Sequence, residues 1–249
     1  MAKIKTEAQI ENIKYSSQVL AKLLIELKSF VKPNVTLLEI DGFAEDFIMS
    51  HKGLPSFKGF QGFPNTTCIS VNENVIHGIP TNSPLKEGDI VGVDVGMIYR
   101  GGYGDTAYTY AVGEVSEAKK KLMEATEASL YKGIEQAVRG NRVGDISNAI
   151  QAFAEAKGYS LVRGYCGHGV GLDVWEEPPI PNVGKKGYGP RLKSGMVIAI
   201  EPMVNIGHHE IFVNKDGWTV TTKDLMPSAH YEHTVLIQNG SPQILTRLD

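Results

Sequence analysis

Apolar residues recur at helical spacing twice near the start of the chain. Thr6 followed by Gln9 has the form of a capping box, and Ile10, Ile13, Leu20, Leu24 and Leu27 then line one face of a helix that ends before Pro33. The cap repeats at Thr36 and Glu39, opening a second helix with Leu37, Ile40, Ala44, Phe47 and Ile48 inward and a stop near Gly53. Ser116 opens a long helix through Arg139, with Leu122, Ala125, Leu130 and Ile134 in its apolar rows. Asp145 caps a fourth, with Ile146, Ile150, Phe153 and Ala154 inward and Gly158 at its end. β-rich runs follow each helix pair, at 66–71 and 88–113 in the first half and at 196–202 and 231–237 in the second. Helices followed by strands, twice over, point to two related halves.

Composition narrows the class. The chain has 249 residues, 21% charged and 42% hydrophobic, and no linker-like stretch divides it, so one domain over 1–249 is expected. A net charge of −3 gives no reason to expect a nucleic-acid partner. Cys68 and Cys166 are the only cysteines, which fits a reducing compartment. Lys3, Lys5, Glu7 and Glu11 stand where a signal peptide would be apolar, and no apolar run reaches the length of a membrane span. A cytoplasmic protein is expected.

The candidate chemistry lies in the β-rich runs. Residues 88–113 read as a hairpin. With its turn centred between Tyr99 and Arg100, Asp94 and Asp105 become direct cross-strand partners on one face. Like charges placed so repel, and a divalent cation with hard oxygen ligands would relieve them; the plain alternative is a solvated edge or turn aspartate. Asp94 fits that alternative poorly, because Val91, Val93 and Val95 surround it. The turn signal Asp216-Gly217 lies midway between Glu201 and Glu232 and repeats the pattern, although Pro202 and Pro227 predict an irregular ribbon. His168, between Gly167 and Gly169, is presented on bare backbone, as suits a ligand. Phe57, Phe60 and Phe63 on a Gly-rich loop are either a satellite core, the commoner outcome, or the wall of an apolar pocket. His77, beside Gly78, is either a satisfied core histidine or a group that meets a ligand. Four carboxylates and one imidazole are too acidic a set for one ion and suit a pair of divalent metals.

At this point the chain resembles the type I methionine aminopeptidases of the short bacterial form. The resemblance rests on His77-Gly78-Ile79-Pro80, Val93-Asp94-Val95, Gly104-Asp105-Thr106, Gly167-His168-Gly169-Val170-Gly171, Ile200-Glu201-Pro202-Met203 and Tyr231-Glu232-His233-Thr234, and it covers nearly the whole chain. It implies an α+β pita-bread fold, a pseudo-twofold curved antiparallel sheet backed by helices. It also implies two divalent ions (manganese, iron, cobalt or zinc), with Asp94 on one, His168 and Glu201 on the other, and Asp105 and Glu232 bridging. Glu201 would also move a proton, and His77 would hydrogen-bond the scissile amide or the tetrahedral intermediate. The implied activity is removal of the N-terminal methionine when the second residue is small. The methionine side chain would sit among Phe57, Phe60, Phe63, Cys68 and Trp218, which reverses the preference for a mere satellite core. Partners would be nascent polypeptide N-termini and methionyl peptides, with ribosome association open; a membrane partner is not expected, and a monomer is.

One position departs from the family pattern. In Gly171-Leu172-Asp173-Val174-Trp175-Glu176-Glu177-Pro178, Trp175 stands where a second active-site histidine is usual, and Val174 where a bulkier apolar residue is usual. Trp offers one N–H donor, accepts no proton and is larger, so Trp175 is expected to narrow the subsite for the second residue. A specialised paralogue of reduced or narrowed activity is therefore the main alternative. A prolidase or Xaa-Pro aminopeptidase would be expected to carry a further N-terminal domain, and a metal-free binding module to have lost ligands.

Overall fold

A computed structural model describes residues 2–248; Met1 and Asp249, the ends of the expected unit, lie outside the described residues. Four helices form, α1 (Glu7–Phe30), α2 (Leu37–Ser50), α3 (Glu117–Glu135) and α4 (Val143–Ala156). Both expected capping boxes are made: Thr6 with Gln9, and Thr36 with Glu39. Two helix ends differ from expectation. α3 stops at Glu135 instead of Arg139, because Gly140 N–H donates to Leu192 O and Leu192 N–H to Asn141 O, and these extended bonds compete with another helical turn. Asp145 is not the cap of α4. It lies three residues inside, where its carboxylate accepts the backbone N–H of the cap residue Arg142 at 2.7 Å.

The strands, in chain order, are β1 (Leu54–Pro55), β2 (Thr67–Val71), β3 (Asn74–Ile76), β4 (Ile90–Tyr99), β5 (Gly102–Ala111), β6 (Ser160–Leu161), β7 (Cys166–Gly169), β8 (Glu176–Pro181), β9 (Val197–Ile200), β10 (Met203–Asn205), β11 (Ile211–Val213), β12 (Val220–Thr222), β13 (Ser228–His230), β14 (Glu232–Leu236) and β15 (Gln243–Ile244). The main sheet runs β1-β4-β5-β14-β9-β7-β8, with β2 beside β4 and β15 beside β14, and its pairs are antiparallel. One face is covered by the helices. Val91, Val93, Val95 and Met97 of β4 pack with Leu20, Leu23, Leu27 and Ile40 of α1 and α2. Ile198, Ile200 and Val235 pack with Leu122, Leu130, Ile146 and Ile150 of α3 and α4. Burial of each such side chain contributes about 1.5–3 kcal/mol. A helix pair thus backs each half of the sheet, the pita-bread arrangement, with β5 and β14 meeting at the seam.

The opposite face of the sheet is built from the alternate residues. On β4 these are Gly92, Asp94 and Gly96, small or acidic where their neighbours are large and apolar. The register corrects one expectation: Asp94 pairs with Ala107 and Gly96 with Asp105, so the two aspartates are diagonal neighbours, not direct partners. Arg100 (φ 49°) and Gly101 (φ 77°) make a two-residue left-handed turn between Tyr99 and Gly102, centred one residue later than expected. Such a shift moves the pairing by two and leaves both carboxylates on the same face. The 197–236 ribbon is more regular than its prolines suggest. Ile200 faces His233, Met203 faces His230, and Ile211 faces Thr222, so one register holds from end to end, centred between Asp216 and Gly217.

Candidate metal centre and pocket

Five neighbouring strands each bring one side chain to the uncovered face: β4 Asp94, β5 Asp105, β14 Glu232, Glu201 just past β9, and β7 His168. Asp94 and Glu232 both pair with Ala107, which puts them in one row across the sheet on either side of a methyl group. His168 Nε2 lies 3.6 Å from Glu201 Oε1 and 3.8 Å from Asp105 Oδ2, and donor atoms of Asp105, His168 and Glu232 fall within 4.8 Å of one another. Threonines fix the backbone at the seam. Thr106 and Thr109 hydroxyls donate to Glu232 O and His230 O, and the Thr234 hydroxyl donates to Asp105 O, each at 2.7 Å.

The carboxylates are in a costly position. Asp94 Oδ1, Asp105 Oδ1 and Glu232 Oε1 are shut off from solvent with no hydrogen-bond partner in the chain. Burial, with repulsion from Glu201 added and attraction from His230 opposing, pushes the Asp94 carboxyl up to about 7. Burial and then repulsion from the neighbouring carboxylates raise Asp105 and Glu232 well above the carboxylate range. Orphaned acceptors converging with an imidazole fit divalent cations, which would satisfy the lone pairs and cancel the repulsion.

A cavity of about 330 Å³ opens onto this cluster, and all thirteen side chains singled out in the sequence line it. Its apolar end is Phe57, Phe63 and Cys68, buried and packed with Ile79, Val174 and Trp218; Phe60 is half-buried beside them. The Phe loop is thus a satellite core and a pocket wall at once. Phe63 meets Trp218 edge-on at 5.1 Å, and Trp218 is placed by the Asp216-Gly217 turn, where Asp216 Oδ1 accepts its N–H at 2.9 Å. His77 sits in the left-handed region (φ 56°), strained for a residue with a Cβ, and its ring stands edge-on to Tyr165 at 5.4 Å. Burial lowers its pKa, so the imidazole is held neutral.

Sequence reasoning missed His230. It is buried, its Nε2 is unpartnered within the chain, and it lies 3.5 Å from Glu201 Oε2. The signal was available: His230 is two residues before Glu232, hence on the same face of an extended chain. Tyr165 and Cys166 also stand in the cavity wall, and nothing in the local sequence marks either as a pocket residue.

A metallopeptidase family M24 model matches residues 11–239, and the chain belongs to that family. It is therefore a hydrolase that works with a divalent metal. Over its full length it is similar to bacterial methionine aminopeptidases: it is 49% identical to that of Clostridium perfringens over 243 residues, 98% of each chain. It is 46% identical to methionine aminopeptidase 1 of Bacillus subtilis over 98% of this chain. The crystal structure of the Thermotoga maritima methionine aminopeptidase superposes with a TM-score of 0.98 at 42% identity, covering 100% of both chains. Among the described residues no helix is long and apolar enough to cross a membrane.

Proposed function

We propose that the protein is a methionine aminopeptidase that removes the first residue from nascent polypeptides and methionyl peptides when the second residue is small. The observation that carries this reading is a carboxylate and imidazole cluster at one end of a cavity whose other end is lined by Phe57, Phe60, Phe63, Cys68 and Trp218. Asp94, Asp105, His168, Glu201 and Glu232 would hold two divalent ions, and manganese, iron, cobalt and zinc all suit the donor set. When bound, such a pair supplies an acidified water and polarises a carbonyl.

The chain's own residues do the rest. Phe57, Phe60, Phe63, Cys68 and Trp218 take the unbranched thioether side chain, which suits an apolar pocket without leaving a polar atom unpaired. His77, neutral and close to the cluster, donates its N–H to the scissile amide or to the oxygen that gains charge. Glu201 lies between His168 and His230 and moves a proton from the attacking water toward the leaving amine. Trp175 and Val174 border the place of the second residue. The two free cysteines are in keeping with a cytoplasmic location.

The test is hydrolysis of Met-Ala-Ser with manganese, iron, cobalt or zinc supplied in turn. Cleavage of the first bond with release of free methionine is expected, and Asp94→Ala should lose about a thousandfold in kcat/KM with its fold intact by circular dichroism. Purified protein that binds two equivalents of no divalent ion and leaves methionyl peptides whole would refute the reading.

A further inference from the structure

Lys5 lies outside the cavity, in the segment before α1, yet its side chain is buried against a loop that borders it. Its ammonium is 2.9 Å from Glu176 Oε2, and both side chains are only 1% exposed. The other carboxylate oxygen, Oε1, accepts the Leu172 N–H at 2.7 Å. Glu176 begins β8 and pairs with Gly169 at the end of β7, so the segment between them, 170–175, is one loop with Glu176 as its internal brace. That loop starts two residues after His168 and ends with Val174 and Trp175, both in the cavity wall.

The brace is anchored at both ends. Lys5 N–H donates to Gly195 O at 2.9 Å, which fixes the segment before α1 to the residues leading into β9, and Lys5 Nζ also donates to Lys3 O. The Lys5 stem lies over Gly171, where a Cβ would come within 3.0 Å of Lys5 Cε and 2.6 Å of Ile13 Cδ1; φ is +127° there, which also favours glycine. Gly171 O accepts from Tyr103 N–H at 2.9 Å. Well-packed apolar pairs of similar volume often serve stability as well as a buried ion pair does. What the ion pair adds is one defined position for a carboxylate that also holds the loop's main chain.

We propose that Lys5 is a positioning residue of the substrate pocket: through Glu176 it sets the 170–175 loop, and with it the place of Val174 and Trp175 beside the second residue of the substrate. This rests on the reading of the cavity as the seat of an N-terminal methionine. A residue remote from the reacting atoms thereby bears on binding of substrate more than on the chemical step.

The test uses Lys5→Met and, because a lone buried carboxylate can prevent folding, the double variant Lys5→Met with Glu176→Gln, whose amide oxygen still accepts the Leu172 N–H. Each is made in the full chain and again with Trp218→Phe, which leaves Trp175 as the single tryptophan. In the single-tryptophan protein, iodide quenching of Trp175 should roughly double and its emission shift to the red when the pair is removed, with or without metal. In the Trp218 protein, KM for Met-Ala-Ser should rise about tenfold while kcat stays within about threefold. Unchanged quenching and unchanged KM beside a lowered Tm would overturn the proposal and leave the pair a purely structural one. If the unaltered protein cleaves no methionyl peptide, the functional reading fails, and the quenching result alone still decides for or against the positioning role.

Discussion

Trp175 is 47% exposed and stands at the cavity's edge, next to the Val174 that packs on the aromatic wall. On the proposed reading its indole takes up volume beside the second substrate residue, and it offers no acceptor. Trp175→His should therefore raise kcat/KM for Met-Val-Ser more than for Met-Ala-Ser, by about tenfold or more in the ratio, since a single methylene in an apolar pocket already discriminates by about tenfold or more. Equal effects on the two peptides, or none, would remove Trp175 from the specificity account. His77 illustrates a different residue-scale rule. A left-handed backbone at a residue with a Cβ is uncommon and persists only where the surroundings enforce it, here with Gly78 pressed so close to the Ile69 carbonyl that no Cβ would fit between them.

Helix and sheet meet in β5 at two glycines. A Cβ on Gly102 would stand 2.6 Å from the backbone of Asn12 and Ile13 in α1, and one on Gly104 would stand 2.8 Å from Ser17 N. These absent side chains let α1 lie directly on the hairpin, and the Ser16 hydroxyl donates to Gly102 O at 2.8 Å. Since the closest atoms are helix backbone and cannot step aside, Gly102→Ala should cost about 1–3 kcal/mol and lower Tm by about 3–10 °C. Gly42 supplies the opposite sign. It is exposed within α2, has open space at Cβ and no left-handed φ, so Gly42→Ala should stabilise by about 0.5–1 kcal/mol. Thermal melts of both variants check the pair. If Gly102→Ala melts with the parent, the close approach does not limit helix docking.

The buried carboxylates make the stability of the whole molecule depend on pH and metal together. In the metal-free protein burial pushes the Asp94 carboxyl up to about 7, and burial with repulsion among the carboxylates holds Asp105 and Glu232 well above the carboxylate range. The unfolded chain loses these carboxyl protons near pH 4, so from there upward the folded state binds more protons and stability falls as pH rises. His77 and His233, held neutral by burial, act in the opposite sense, but only below roughly pH 6.5, where the unfolded imidazole takes up its proton. From about pH 6.5 to 8 those two histidines no longer contribute, and the three buried carboxylates set the direction. Tm of chelator-treated protein should fall across this interval, and saturating manganese should restore more stability at pH 8 than at 6.5, because the metal binds the deprotonated ligands. A metal-free Tm that rises over this interval would contradict the assigned burial.

Much of this was written in the order of residues. Helical spacing and the two threonine caps located α1 and α2, alternation put valines on one face of β4 and Asp94 on the other, and a turn at Asp216-Gly217 set the register of a forty-residue ribbon. Periodicity is local, so sequence carries it. Face is a matter of parity, so even a turn placed one residue early kept Asp94 and Asp105 on the same side. The tertiary structure alone decided the order β4-β5-β14-β9-β7, which makes neighbours of Asp105 and Glu232 across 127 positions of chain, since no local pattern says which strand edges will pair. It also decided that His230 reaches Glu201 and that Lys5 is buried against Glu176. A lone histidine and a lone lysine read as ordinary until a distant carboxylate is folded against them, because an ion pair has direction and distance but leaves no period in the sequence.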